Sequence, residues 1–127
     1  MNILLDTHTV LWFLLDDDKL SSKAKLAIMS EDNNKFVSLA SAWELSIKMS
    51  LGKIYFEGGM SSFFKQIYEN NFEILPITLE HIMRVEYLPI HHKDPFDRLI
   101  VAAALEDDLT ILTVDSNIHL YESSYIW

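Results

Sequence analysis

Apolar residues fall into short runs separated by polar punctuation, and the period of each run predicts its element. Asn2 to Leu5 is a short apolar run ending at Asp6, which predicts a strand, and from Thr9 to Leu15 apolar residues recur at helical spacing. Ser21 or Ser22 can cap a second helix through about Met29. Lys35-Phe36-Val37-Ser38 predicts a strand before a helix from about Ser41 to Leu51, which Gly52 stops. After the turn-like Glu57-Gly58-Gly59, a helix from about Ser61 to Glu69 leads to the strand Phe72 to Leu75, closed by Pro76. Thr78 to Tyr87 is helical by pattern. Asp94-Pro95 opens a further helix through about Glu106, and Thr110 to Val114 is an apolar strand followed by the cap-like Asp115-Ser116-Asn117.

Strands alternating with one or two helices predict an α/β fold, a parallel sheet sandwiched between helical layers. Strands buried on both faces should be continuously apolar, as Ile3-Leu4-Leu5 and Ile111-Leu112 are. The order of the strands in the sheet is not written in the periodicity. No Pro/Gly/Ser-rich linker and no repeat divides the 127 residues, so residues 1–127 are expected to form a single domain.

Composition narrows the chemistry. With no cysteine there can be no thiolate zinc site, iron–sulfur cluster or cysteine nucleophile, and nothing suggests an oxidising compartment. Met1-Asn2-Ile3-Leu4-Leu5-Asp6 lacks a basic region and meets an acid at once, unlike a signal peptide, so the cytoplasm is the expected location. The apolar run from Val10 to Leu15 is far short of the roughly 20 residues of a membrane span. A formal charge of −9 argues against broad electrostatic capture of nucleic acid. Any nucleic-acid role must work through a local site with cations. Gly52-Lys53 lacks the rest of a phosphate-binding P-loop and no G-x-G-x-x-G occurs, so no nucleotide cofactor is expected.

In open parallel sheets ligands bind outside the carboxyl ends of the strands, and two aspartates fall there. Asp6 ends the first strand and Asp115 follows the last. Each can be read as a helix cap, but independent caps have no reason to terminate two strands feeding one crevice. Asp94 and Pro95 suit a cap and a first helical position, which puts Asp97 in the first turn of a helix apolar on every side from Leu99 to Leu105. Glu44 precedes Lys48 by four residues, the order of a solvent-exposed pair, while Trp43, Leu45 and Ile47 argue that much of this helix is buried. Spacing leaves both readings of Glu44 open.

Asp6, Glu44, Asp97 and Asp115 can thus converge on one edge. Carboxylates that close raise one another's pKa, so their joint presence is easiest to understand around a cation. Hard oxygen ligands in this number select Mg²⁺ or Mn²⁺, and a metal so held suits phosphodiester hydrolysis. His8, His81, His91, His92 and His119 lack the spacing of a helical zinc pair and read as structural or solvated. The methionines and Phe63-Phe64 read as packing residues, and Trp12, Trp43 and Trp127 as core or interface residues that could otherwise stack bases.

The motifs Leu4-Leu5-Asp6-Thr7-His8, Ala40-Ser41-Ala42-Trp43-Glu44-Leu45-Ser46-Ile47-Lys48, Leu88-Pro89, His92-Lys93-Asp94-Pro95-Phe96-Asp97-Arg98-Leu99-Ile100 and Leu112-Thr113-Val114-Asp115 stand in this order along the chain. Together they resemble PIN-domain proteins, and within them the VapC-type ribonuclease toxins of bacterial toxin–antitoxin pairs. The resemblance implies a PIN-like three-layer fold with a sheet of about five strands, and a metal-dependent endoribonuclease whose acids Asp6, Glu44, Asp97 and Asp115 surround one or two Mg²⁺ or Mn²⁺. It places Thr7 and Thr113 beside the first and last acids as supporting residues, with Asp94 as an additional acid that also caps. Lys48 and Arg98 could each meet a substrate phosphate or pair with an acid, and His8 stands where many relatives carry Ser or Asn. It further implies an RNA substrate, a homodimer and a small cognate antitoxin, to which a chain of −9 would offer a partner for Arg or Lys. Two rivals remain: a Mg²⁺-binding phosphoacceptor receiver module, against which Phe36-Val37-Ser38-Leu39 ends without an acid, and a PIN fold that has lost catalysis.

Overall fold

The computed structural model describes every residue from Met1 to Trp127. Its strands, β1 (Asn2–Leu5), β2 (Asn34–Ser38), β3 (Phe72–Leu75), β4 (Thr110–Leu112) and β5 (Tyr125–Ile126), form one sheet in the order β3-β2-β1-β4-β5. Every pairing is parallel. The helices are α1 (Thr7–Leu14), α2 (Ser22–Met29), α3 (Leu39–Ser50), α4 (Gly59–Glu69), α5 (Leu79–Tyr87) and α6 (Pro95–Asp107). The expected α/β alternation is therefore the one observed, in three layers.

The central strand shows why its sequence is apolar at every position. Ile3 and Leu5 point into one core, with residues of α1 to α4, whereas Leu4 points into a second core built on α6, Leu109 and Ile111. All three side chains are fully buried, and strand geometry sends neighbours to opposite faces. On the second face Ile100 to Ala104 supply α6 with a small, wholly apolar contact surface, which lets the helix lie close to the sheet.

Local signals set the helix ends. Asp6, Ser21, Ser38, Thr78 and Asp94 each accept a backbone N–H of the helix they precede. Ser38 is both the last residue of β2 and the cap of α3, so this helix starts at Leu39, ahead of the expected Ser41. Gly58 stands before α4 at φ 81°, and a Cβ there would lie 2.6 Å from the Cβ of Ser62; both facts require glycine. The expected turn thus ends one residue earlier, with Gly59 already helical. β4 stops at Leu112 rather than Val114, and the fifth strand of the expected sheet lies at Tyr125–Ile126, where the pattern placed none because two residues carry no readable period.

Chain order positions the site. The chain moves outward from β1 to β2 to β3, then returns to lay β4 against the free side of β1. The reversal opens a crevice at the carboxyl ends of β1 and β4, the place where such sheets bind ligands. It also separates this fold from receiver modules, whose doubly wound order is 2-1-3-4-5. No helix is long and apolar enough to cross a membrane.

Candidate functional site

Leu5 and Leu112 are register partners at the ends of β1 and β4, and the next residue, Asp6, still donates its N–H to Leu112 O at 3.2 Å. Asp6 is buried. Its Oδ1 accepts from Thr9 N at 2.8 Å as the cap of α1, and its Oδ2 accepts from the Thr113 hydroxyl. Thr113 in turn accepts from the N–H of Asp115 at 3.0 Å, so one hydroxyl ties the acid after β1 to the acid after β4. The cap reading and the site reading of Asp6 are both present: one oxygen serves the helix and the other faces the reversal of the sheet.

Glu44 approaches from α3. It is 4% exposed, so the solvent-exposed pair suggested by spacing is not what forms. Its Oε2 pairs with Lys48 Nζ at 2.8 Å, and its Oε1 lies 2.7 Å from Thr7 Oγ1. Thr7 Oγ1 is also 2.9 Å from Ser41 Oγ. Only one of these partners cannot donate, so the Thr7 proton goes to the carboxylate and Thr7 accepts from Ser41. The flanking residues taken as signs of burial divide: Leu45 is fully buried, but Trp43 and Ile47 are exposed, with Trp43 meeting Phe96 edge-on at 5.2 Å. Helix α3 is buried instead through Ala40, Ser41, Ala42, Glu44 and Leu45.

The third contributor is the start of α6. Asp94 Oδ1 accepts from the N–H groups of Phe96 and Asp97 at 2.8 and 3.0 Å, with Pro95 where no N–H is needed. This orients Asp97 toward the crevice, where its Oδ2 lies 3.1 Å from His92 Nε2. The same nitrogen is 2.8 Å from Asp115 Oδ2. His92 is thus part of the acidic edge, which corrects its reading as a structural or solvated histidine. His81 is structural: it is buried, completes the capping box of α5 and meets Asp107 at 2.8 Å. His8 is exposed and tilted against Trp12. Met1, Met29 and Met83, read as packing residues, are exposed.

Arg98 turns away from the acids. Its Nη2 lies 3.0 and 3.4 Å from Val85 O and Leu88 O at the end of α5, and its Nη1 3.1 and 3.4 Å from Pro89 O and His92 O and 3.4 Å from Tyr121 Oη. A planar guanidinium can serve several acceptors at once, and here it clamps the loop that delivers His92. Ser41, His92 and Tyr121 were not among the sequence candidates. None lies at a spacing that announces a site, because each acts through tertiary contact.

Burial first, then the charge of Asp94, with smaller pushes from Glu44 and Asp6 and against the pull of His92, together raise the Asp97 carboxyl to about 7. Three acids from three regions of the chain, Asp94, Glu44 and Asp6, therefore act on one carboxyl group. A negative charge there is unwelcome without a counter-cation. The donor set of carboxylate oxygens fits a hard divalent cation, and His92 Nε2 and oxygens of Asp97 and Asp115 all lie within 4.8 Å of one another.

This three-layer sheet with an acidic edge at its reversal point has a matching family model: residues 3–122 match the PIN domain. The chain belongs to the PIN-domain family. No curated protein sequence matches it. Its fold is similar to that of VapBC2 from Rickettsia felis, solved bound to a DNA fragment from its promoter, at 16% identity with a TM-score of 0.73, covering 99% of this chain and 98% of that one. A toxin–antitoxin complex from Klebsiella pneumoniae matches at 18% identity and TM-score 0.65, over 98% and 96% of the two chains. The PIN domain endonuclease Utp24 matches at 18% identity and TM-score 0.52, over 93% and 74%.

Proposed function

We propose that this PIN-domain protein is a Mg²⁺- or Mn²⁺-dependent endoribonuclease and the toxin of a type II toxin–antitoxin pair of the VapC kind. The observation that carries the reading is the Asp97 carboxyl, pushed up to about 7 by burial and by Asp94, Glu44 and Asp6, beside the His92 nitrogen that also meets Asp115. Such a site is tolerable at neutral pH when a divalent cation neutralises it. A bound cation would supply a more acidic attacking water and polarisation of the phosphodiester.

The chain's own residues do the rest. Asp6, Glu44, Asp97 and Asp115 would hold the cation. Thr7 and Thr113 hold Glu44 and Asp6 in place by donating hydrogen bonds to them. Lys48 neutralises part of the acidic charge that would repel a phosphate backbone, and Asp94 fixes the first turn of α6. Arg98 braces the loop that carries His92. Likeness to the R. felis and K. pneumoniae structures supports an antitoxin partner, and likeness to Utp24 supports nuclease chemistry. The antitoxin, whose segment over the acidic edge would carry Arg or Lys, and a second copy of this chain complete the proposed assembly, in the cytoplasm.

The test is incubation with RNA and Mn²⁺. Cleavage that needs the metal and disappears in Asp6→Asn supports the assignment, and full activity of that variant refutes it. Association with the antitoxin should weaken with salt.

A further inference from the structure

His92 comes from the Ile90 to Lys93 segment before α6, yet its polar groups are engaged. Its N–H donates to Tyr121 Oη at 3.0 Å, and its carbonyl lies 3.4 Å from Arg98 Nη1. The ring Nδ1 is 3.1 Å from the backbone N of Asp94, and Nε2 faces Asp115 at 2.8 Å and Asp97 at 3.1 Å. The placement is therefore fixed from both the backbone and the ring.

These partners assign the ring proton. A backbone N–H can only donate, so Nδ1 must be the acceptor and the proton of the neutral ring sits on Nε2, directed at Asp115 with Asp97 Oδ2 3.1 Å away. By distance alone Nε2 could join Asp97 and Asp115 as a third ligand. Ligation would require a lone pair on Nε2, which moves the proton to Nδ1 and sets it against the Asp94 N–H. That N–H cannot readily turn away, since Asp94 is locked as the cap of α6 by two hydrogen bonds of its own side chain.

We propose that His92 is a positioning residue and not a metal ligand: its Nε2–H bridges Asp97 and Asp115 and holds the two carboxylates at a spacing ready for a divalent cation. The inference rests on the metal-site reading above. Carboxylates that ligate metals are commonly oriented by such outer hydrogen bonds, which are worth roughly 10–100-fold in affinity.

Long-range ¹H–¹⁵N spectra of the metal-free protein should show Nε2 protonated and Nδ1 bare for His92, and Mg²⁺ should leave that pattern in place. Calorimetric titration with Mg²⁺ and with Mn²⁺ should show His92→Ala weakening both by a similar factor of roughly 10–100. His92→Gln, which carries an N–H at comparable reach, should recover much of the loss. A ligating imidazole would favour Mn²⁺ over Mg²⁺, so its removal would strike Mn²⁺ binding harder. Nitrogen coupling from a histidine in the Mn²⁺ spin-echo spectrum, a loss confined to Mn²⁺, or unchanged binding of both ions would overturn the proposal. A protein that binds both ions as described but cleaves no RNA sinks the ribonuclease reading and leaves the role of His92 standing.

Discussion

The two halves of the acidic crevice are compensated differently. On one side, Asp6 and Glu44 are buried, but each carboxylate is met by donors from the chain: Thr9 N–H and Thr113 for Asp6, Thr7 and Lys48 for Glu44. On the other side, Asp97 has His92 as its partner and the carboxylate of Asp94 as a near neighbour, and its carboxyl is pushed up to about 7. The protein completes the first half with its own hydrogen bonds and leaves the second in need of outside charge. On the proposed reading, a cation would be recruited mainly by the Asp97 side and aligned by the Asp6 side.

Breaking the aligned half should have the largest effect. Asp6→Asn should reduce RNA cleavage by more than the roughly 10–100-fold that an outer hydrogen-bonding partner is worth. Its thermal unfolding should be almost unchanged, because Asn caps helices as well as Asp. Next comes the half that lacks compensation. The folded-state value of Asp97 lies above its ordinary 3.8, so metal-free folded protein binds a proton that the unfolded chain releases. Stability from this group is full below about pH 4 and is lost as pH rises toward 7 and beyond. Asp97→Asn should remove that loss and raise the melting temperature of the metal-free protein at pH 8 by several degrees. Cation affinity of the parent should climb about tenfold per pH unit until pH passes about 7, as one proton competes with the metal.

Smaller changes sharpen the contrast. Lys48→Met leaves Glu44 buried without its cation and should cost about 1–3 kcal/mol in denaturant unfolding, with part recovered on adding Mg²⁺. Thr7→Val removes one donor to Glu44 and should cost about 1 kcal/mol, with a modest fall in metal affinity. An equal effect of Lys48→Met with and without Mg²⁺ would mean that the cation does not bear on Glu44.

Much of this was legible because the chain marks it locally. Asp6 and Asp94 sit where a strand ends or a helix begins, and cap chemistry fixes such positions from neighbouring residues alone. The layered architecture follows from the apolar strands and the wholly apolar stretch Ile100 to Ala104. The burial of Glu44 was not legible, since an i to i+4 pair with Lys48 looks the same on a wet or a dry face. His92 was hidden for another reason: its partners Asp115 and Tyr121 lie 23 and 29 residues away, and its own segment has no period. β5 was missed because its two residues gain their conformation only by pairing with Ile111 and Leu112.

Placing the first strand at the centre of the sheet has a temporal consequence. Asp6 emerges from the ribosome early, but Thr113, the residue that orients it, lies 107 positions later. Until β4 is synthesised, β1 has one bare flank and the crevice has one wall. A chain interrupted anywhere before that point lacks both Asp115 and the hydroxyl that holds Asp6, so the acidic edge exists only once β4 has paired with β1.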